Sequence, residues 1–257
     1  GVGVDKLKAE LSLKDDSIQL EYLVANKDIY GLKAAGDIPL DVFRSKEQRR
    51  NPRSQMNITM DLNDARLGIL PAFTKMVEWG VGETKGAVRL AGTLEEPLLY
   101  GSLQLEEGAV KIKGLDTALE AINLDVDFQG NTVLLRNAST KLGKGILAAE
   151  GSYALHTTEK DAYRLHVKAD KVELVSPIFT GRINSEIEIV PQKYRDRRKG
   201  NGKVPPPVEY RPLIKGQLSL DDVVVNMPTV PEMGESESNF GLDVKVDLGR
   251  KIHLDNS

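Results

Sequence analysis

The chain has 257 residues, 40% hydrophobic and 28% charged, a balance that supports a folded core and excludes global disorder. Its 35 basic and 38 acidic residues leave a net charge of −3, so no global positive field recruits nucleic acid, and the absence of cysteine excludes disulfides and thiolate metal sites. Aromatic residues make up only 5%, so Leu, Ile and Val must carry the burial, and no stretch reaches the roughly 20 apolar residues of a membrane-spanning helix.

In chain order, period-two alternation begins at Lys8–Leu13 and continues through Ser17–Tyr22, Asp37–Val42 and Met56–Met60. Alternation puts apolar side chains on one face of a strand and polar ones on the other. One segment breaks the period: Leu70, Phe73, Met76 and Val77 stand at helical spacing, with Pro71 at the start and Gly80 just past the end. This predicts a short amphipathic helix over 70–79 whose apolar stripe docks on the apolar side of the sheet. Alternation resumes in Val88–Leu90, Leu103–Leu105, Val110–Ile112, Ile122–Phe128, Val133–Leu135, Tyr153–Leu155 and Tyr163–Val167. It returns in Ile187–Ile189, Leu218–Leu220, Val223–Val225 and Leu242–Leu248. Glu107-Gly108, Gln129-Gly130-Asn131 and Gly143-Lys144-Gly145 read as the turns between strands, and Asp221-Asp222 as another. Many short strands with one wet and one dry face predict antiparallel meanders. Arg44–Arg53, the basic and Pro-rich stretch over 192–207, and Met227–Ser238 read as solvated loops. Both ends, Gly1–Val4 and Leu254–Ser257, read as running β-structure, so the chain is expected to be an interior slice of a longer one.

The most specific feature is a long phrase. After Trp79-Gly80 it runs Gly86-Ala87-Val88-Arg89-Leu90-Ala91-Gly92-Thr93-Leu94-Glu95-Glu96-Pro97, then Gly101-Ser102-Leu103-Gln104-Leu105-Glu106-Glu107-Gly108-Ala109-Val110-Lys111-Ile112. Looser echoes are Gly151–Leu155 and Lys215–Asp221. Gly at strand ends permits tight turns or bulges, and Pro between strands blocks further pairing. With Ile122–Val126, Leu134–Ala138 and Ala149–Tyr153 downstream, residues 61–155 resemble the TamB family, relatives of the AsmA-like proteins, and Leu242–Leu254 looks like a further strand pair of the same kind.

The resemblance implies a mainly β fold over 1–257: one continuous antiparallel meander curled into an open, apolar-lined, β-taco-like trough. It implies a periplasmic segment of a protein anchored in the inner membrane of a diderm bacterium. The expected function is non-catalytic: shielding phospholipid acyl chains in an apolar groove during transport between inner and outer membranes. A second reading is an outer-membrane protein assembly module that pairs its edge with nascent β-barrel strands or a TamA- or BamA-type partner. A third, a structural β-solenoid, asks for a fixed rung period that the irregular spacing lacks.

The candidate groove residues are Leu103, Leu105, Val110, Ile112, Leu124, Val126, Phe128, Leu135, Leu165, Val167, Leu218, Leu220, Val244 and Val246. They would serve equally as the core of a closed sandwich. Arg49, Arg50, Arg197, Arg198 and Lys199 are candidates for contact with anionic head groups, although solvated loop tips have the same composition. No cofactor or metal is expected: His156, His166 and His253 share no ligand spacing, and Gly143-Lys144-Gly145 is too short to cradle a phosphate. Paired acids and aromatic platforms of a sugar-active enzyme are also lacking, with a single Trp in the chain.

Overall fold

The computed structural model describes residues 6–14, 16–27, 30–44, 54–62, 76–93, 95–157, 162–175, 179–194, 209–226, 240–249 and 252–255. The chain divides into two compact units, Gly1–Lys113 with Ala118–Thr140, and Gly114–Thr117 with Lys141–Ser257. Both are built of β-strands, so the mainly β class and the meander order follow the sequence expectation.

The first unit carries β1 (Lys6–Lys14), β2 (Ser17–Lys27), β3 (Tyr30–Pro39), β4 (Met56–Asp61), β5 (Val77–Gly92), β6 (Pro97–Ile112), β7 (Leu119–Gly130) and β8 (Thr132–Leu142). Each strand lies beside the next in sequence, and the pairs from β1 to β7 are antiparallel. The second unit carries β9 (Gly145–Ala154), β10 (Tyr163–Val175), β11 (Phe179–Tyr194) and β12 (Glu209–Asn226), again antiparallel in order. There β13 (Gly241–Leu248) and β14 (Ile252–Asp255) both pair with β12, and both run parallel to it. They are not a hairpin of the earlier kind. A parallel return needs a dozen or more connecting residues, and residues 227–240 are long enough to supply it.

Alternation becomes burial along β5, where Gly80, Thr84 and Val88 are buried between exposed neighbours. Val77–Trp79, expected as the end of a helix, open this strand instead: Val77 pairs with Ile112 and Trp79 with Lys111. The rest of that expected helix, up to residue 75, lies outside the described residues, as do the loops at 45–53, 195–208 and 227–239. Among the described residues the helical element is a 3₁₀ turn, Leu40–Phe43. Its Asp41 is buried and receives the Arg44 guanidinium at 2.7 Å, while Asp16 takes the other arm of Arg44 at 3.3 Å.

Several strands are longer than the sequence pattern implied, because bulges let one strand read as two. Glu107-Gly108 is not a turn: it lies inside β6, with Glu107 at φ 51° and the register slipping on either side of Gly108. Asp221-Asp222 likewise stays inside β12, with Asp222 at φ 51° and its carboxylate paired to Arg182 on β11. A bulge leaves a backbone group without a ladder partner, and side chains on the next strand supply one. The Glu107 N–H donates to Asn123 Oδ1 at 3.3 Å, and Asn123 Nδ2 donates to the Ala121 carbonyl at 3.1 Å. In the second unit the N–H of Lys171, at φ 50°, donates to Asn184 Oδ1 at 2.8 Å. Asn184→Ala should therefore cost about 1 kcal/mol, the net worth of one such bond. Amide exchange at Lys171 should accelerate by more than exchange at Val167, four residues away on the same strand.

Candidate functional site

The antiparallel register decides which side chains share a face, because directly opposed residues point the same way. In the first unit one row runs Leu11, Leu20, Gly36, Ile58, Leu90, Leu99, Gly130 from β1 to β7. The next runs Ala34, Met60, Val88, Gly101, Phe128, followed by Gly86, Leu103, Val126 and by Thr84, Leu105, Leu124. Beyond the bulge Gly80, Val110 and Leu119 continue the same side, then Val77 with Ile112. Arg136 reaches Asp127 on the polar side, which puts Leu135 on the apolar one.

The second unit repeats the arrangement. Gly151, Leu165, Ile189, Ile214 and Leu242 form one row; Ala149, Val167, Ile187, Gly216 and Val244 the next. Leu147, Ala169, Ser185, Leu218 and Val246 form a third, and Ile183, Leu220 and Leu248 extend it. Every expected groove residue thus stands on the apolar side of its own unit, the eight from Leu103 to Leu135 in the first and the six from Leu165 to Val246 in the second. Arg49, Arg50, Arg197, Arg198 and Lys199 lie outside the described residues.

Burial separates these side chains into two kinds. Leu105 is 3% exposed, and Val110 and Val126 are buried with it, so they hold the sheet together rather than meeting a ligand. Leu103, Leu124, Phe128, Leu165, Val167, Leu218 and Leu220 are half-buried, and Val246 is exposed. Within each unit the described strands belong to one ladder, and most members of the apolar rows keep part of their surface open, as an uncovered sheet face does.

Val88, Leu90, Ile187 and Ile189 also belong to these rows although they are not among the expected site residues; their alternation in the sequence is the signal that marks them. Tyr153 and Tyr163 form a pair that no sequence spacing signals. They are opposed across β9 and β10, two residues beyond Gly151 and Leu165 on the same side, with rings stacked at 6.4 Å and 17°. Burial raises the Tyr163 phenol above its ordinary value.

The opposite side of the second unit is ionic. Glu150, His166, Glu188, Lys215 and Asp243 form one cross-strand row, and Lys168, Glu186, Gln217 and Lys245 the next. Two open depressions of 540 and 730 Å³ lie over these rows, with Ala169, Leu218 and Ile187 of the aliphatic rows also among their lining. Glu188 accepts from Lys215 at 2.8 Å and Arg164 at 2.9 Å, and His166 Nε2 stands 3.4 Å from Glu186. The Lys215 hydrogen bond holds the Glu188 carboxyl below its ordinary value, and the charge of Arg164 adds to this. A depressed folded-state value means that Glu188 adds stability above its unfolded value, and that this is lost as pH falls through the folded one. Glu188→Gln should therefore flatten the loss of stability on acidification below about pH 4.5, seen as a smaller drop in Tm between neutral and acid buffer. Among the described residues no group of three or more His, Asp or Glu is placed to hold a metal.

No family model matches the chain, and no solved structure matches it. Two curated proteins are similar to it. One is Protein SUBSTANDARD STARCH GRAIN 4, chloroplastic, of Oryza sativa subsp. japonica, 22% identical over 63% of this chain and 8% of its own length. The other is Protein TIC236, chloroplastic, of Arabidopsis thaliana, 20% identical over 69% of this chain and 8% of its own length. Both are chloroplastic plant proteins, which overturns the expected assignment to the bacterial TamB family. The periplasmic location with an inner-membrane anchor falls with it. The phrase from Gly86 to Ile112 encodes kink, bulge and Pro-initiated return, and a β-sheet demands these in any compartment. The chain is thus similar, over about two thirds of its own length, to a small slice of two far longer chloroplastic proteins.

Proposed function

We propose that this chain is a non-catalytic binding segment whose aliphatic sheet faces shelter the acyl chains of phospholipid from water. The observation that supports this is the in-register stack of aliphatic rows, most of whose described members keep part of their surface open within a single ladder of strands. An exposed apolar surface of that extent marks a site of interaction. Each methylene moved from water onto such a face gains about 0.8 kcal/mol. Branched aliphatics without polar anchors offer many near-equal positions, so a chain can shift along the rows without leaving them. Head groups remain in water, where ionic side chains such as those of the second unit's polar side are found.

Val167 and Leu218 are half-buried members of adjacent rows and therefore the places to test it. Val167→Asp and Leu218→Asp should each weaken capture of phospholipid bearing a fluorescent acyl chain by about tenfold, the equivalent of removing two methylene contacts. Gln217→Asp, on the polar side, should leave it unchanged. Native mass spectrometry of the folded protein gives an independent readout. A folded wild type that neither retains phospholipid nor binds the probe would sink the proposal.

A further inference from the structure

We propose that the outer edge of β13 is a homodimer interface, in which a second copy of this chain pairs its own β13 antiparallel about a two-fold axis through Val244. Strand order in the second unit runs from β9 to β13, and β14 pairs β12, so among the described residues no strand occupies that edge. An eight-residue edge with free backbone groups is a template for another strand. Edges that a fold keeps solitary are blunted with Pro, a bulge or inward-pointing charge. Gly241–Leu248 has no Pro, keeps a continuous register with β12, and turns its charges to the polar side.

The side chains choose the occupant. Phe240, Leu242, Val246 and Leu248 are 41%, 67%, 49% and 66% exposed, the densest run of exposed large apolar residues among the described residues of the second unit. Asp243, Lys245 and Asp247 alternate in charge on the other side. Antiparallel pairing about Val244 sets Asp243 opposite Lys245 twice, Leu242 opposite Val246 twice, and Phe240 opposite Leu248 twice. The neighbouring two-fold register, centred on Lys245, would set Lys245 against itself and Asp243 against Asp247. Like charges directly opposite each other destabilise a strand pair. The pattern therefore both favours a second copy and selects its register, and an isologous contact of this kind closes at two subunits.

Sedimentation of the full chain over a concentration series tests this. The wild type should shift from 28.3 kDa to twice that mass as concentration rises. Lys245→Asp makes the three charges uniformly negative, and the double variant Asp243→Lys, Asp247→Lys makes them uniformly positive. Each alone should stay at the monomer mass, and an equimolar mixture should recover the dimer mass. Recovery in the mixture excludes misfolding as the cause of the single losses. A wild type that stays monomeric throughout would overturn the proposal. So would a dimer indifferent to both charge changes, or a mixture that fails to associate.

Discussion

Gly101→Ala should cost the first unit about 2–6 kcal/mol, combining about 1–3 for backbone strain with about 1–3 for overpacking. Gly101 lies inside β6 at φ 120°, in a region that L side chains rarely adopt. A Cβ there would sit well inside 3.0 Å of the Ala87 carbonyl oxygen on β5, and that obstacle is backbone, which cannot rotate away. The approach is reciprocal: Gly86 on β5 directs its own missing Cβ at the Ser102 carbonyl of β6, and Ala87 and Ser102 are the opposed pair between them. Neither strand can yield without breaking this ladder. A denaturant midpoint should fall sharply, and amide exchange at Ala87 and Ser102 should accelerate with it. Gly114→Ala is the contrast. At φ 83° it would be strained by about 1–2 kcal/mol, but a Cβ there meets nothing within 4 Å. Equal losses from the two substitutions would refute the close-approach account.

Leu105→Ala is expected to cost about 2–5 kcal/mol, the range for truncating a buried leucine, whereas Val246→Ala should stay within about 0.5 kcal/mol. Both residues belong to aliphatic rows and both alternate in sequence, yet Leu105 is 3% exposed between Thr84 and Leu124 and Val246 is 49% exposed on an edge strand. The lost methyls of Leu105 leave a void that the flanking ladder cannot close, while in the monomer those of Val246 leave only water. Paired thermal denaturation of the two variants measures the difference. This is also why lipid binding should be probed at Val167 and Leu218: an aspartate at Leu105 would unfold the sheet, and loss of binding would then report nothing about a ligand. Comparable losses from the two alanine variants would show that exposure does not divide the rows into structural and available positions.

The faces were readable from the sequence because they depend on a local rule. Leu103-Gln104-Leu105, Val126-Asp127-Phe128 and Val244-Lys245-Val246 alternate, and alternate residues of a strand must point to opposite sides. The mainly β class follows from the number of such segments, and the candidate residues fall on the apolar sides for the same reason. Which strand lies opposite is not local. Glu107-Gly108 has the composition of a turn, but pairing with β7 continues past it with a slipped register, and it becomes a bulge inside β6. Val77 completes a helical spacing with Phe73, yet it is held extended by Ile112, a residue 35 positions later.

The sequence by itself determined that this protein is built of strands with one aliphatic and one ionic side, and which residues belong to each. Only the tertiary structure decided that Gly86 and Gly101 stand in mid-strand where two backbones nearly touch, that β13 and β14 return parallel to β12, and that Leu105 is buried where Val246 is exposed. The reason is the same in each case: periodicity is written in neighbouring residues, whereas the space beside a residue is filled by a strand that the chain supplies from elsewhere.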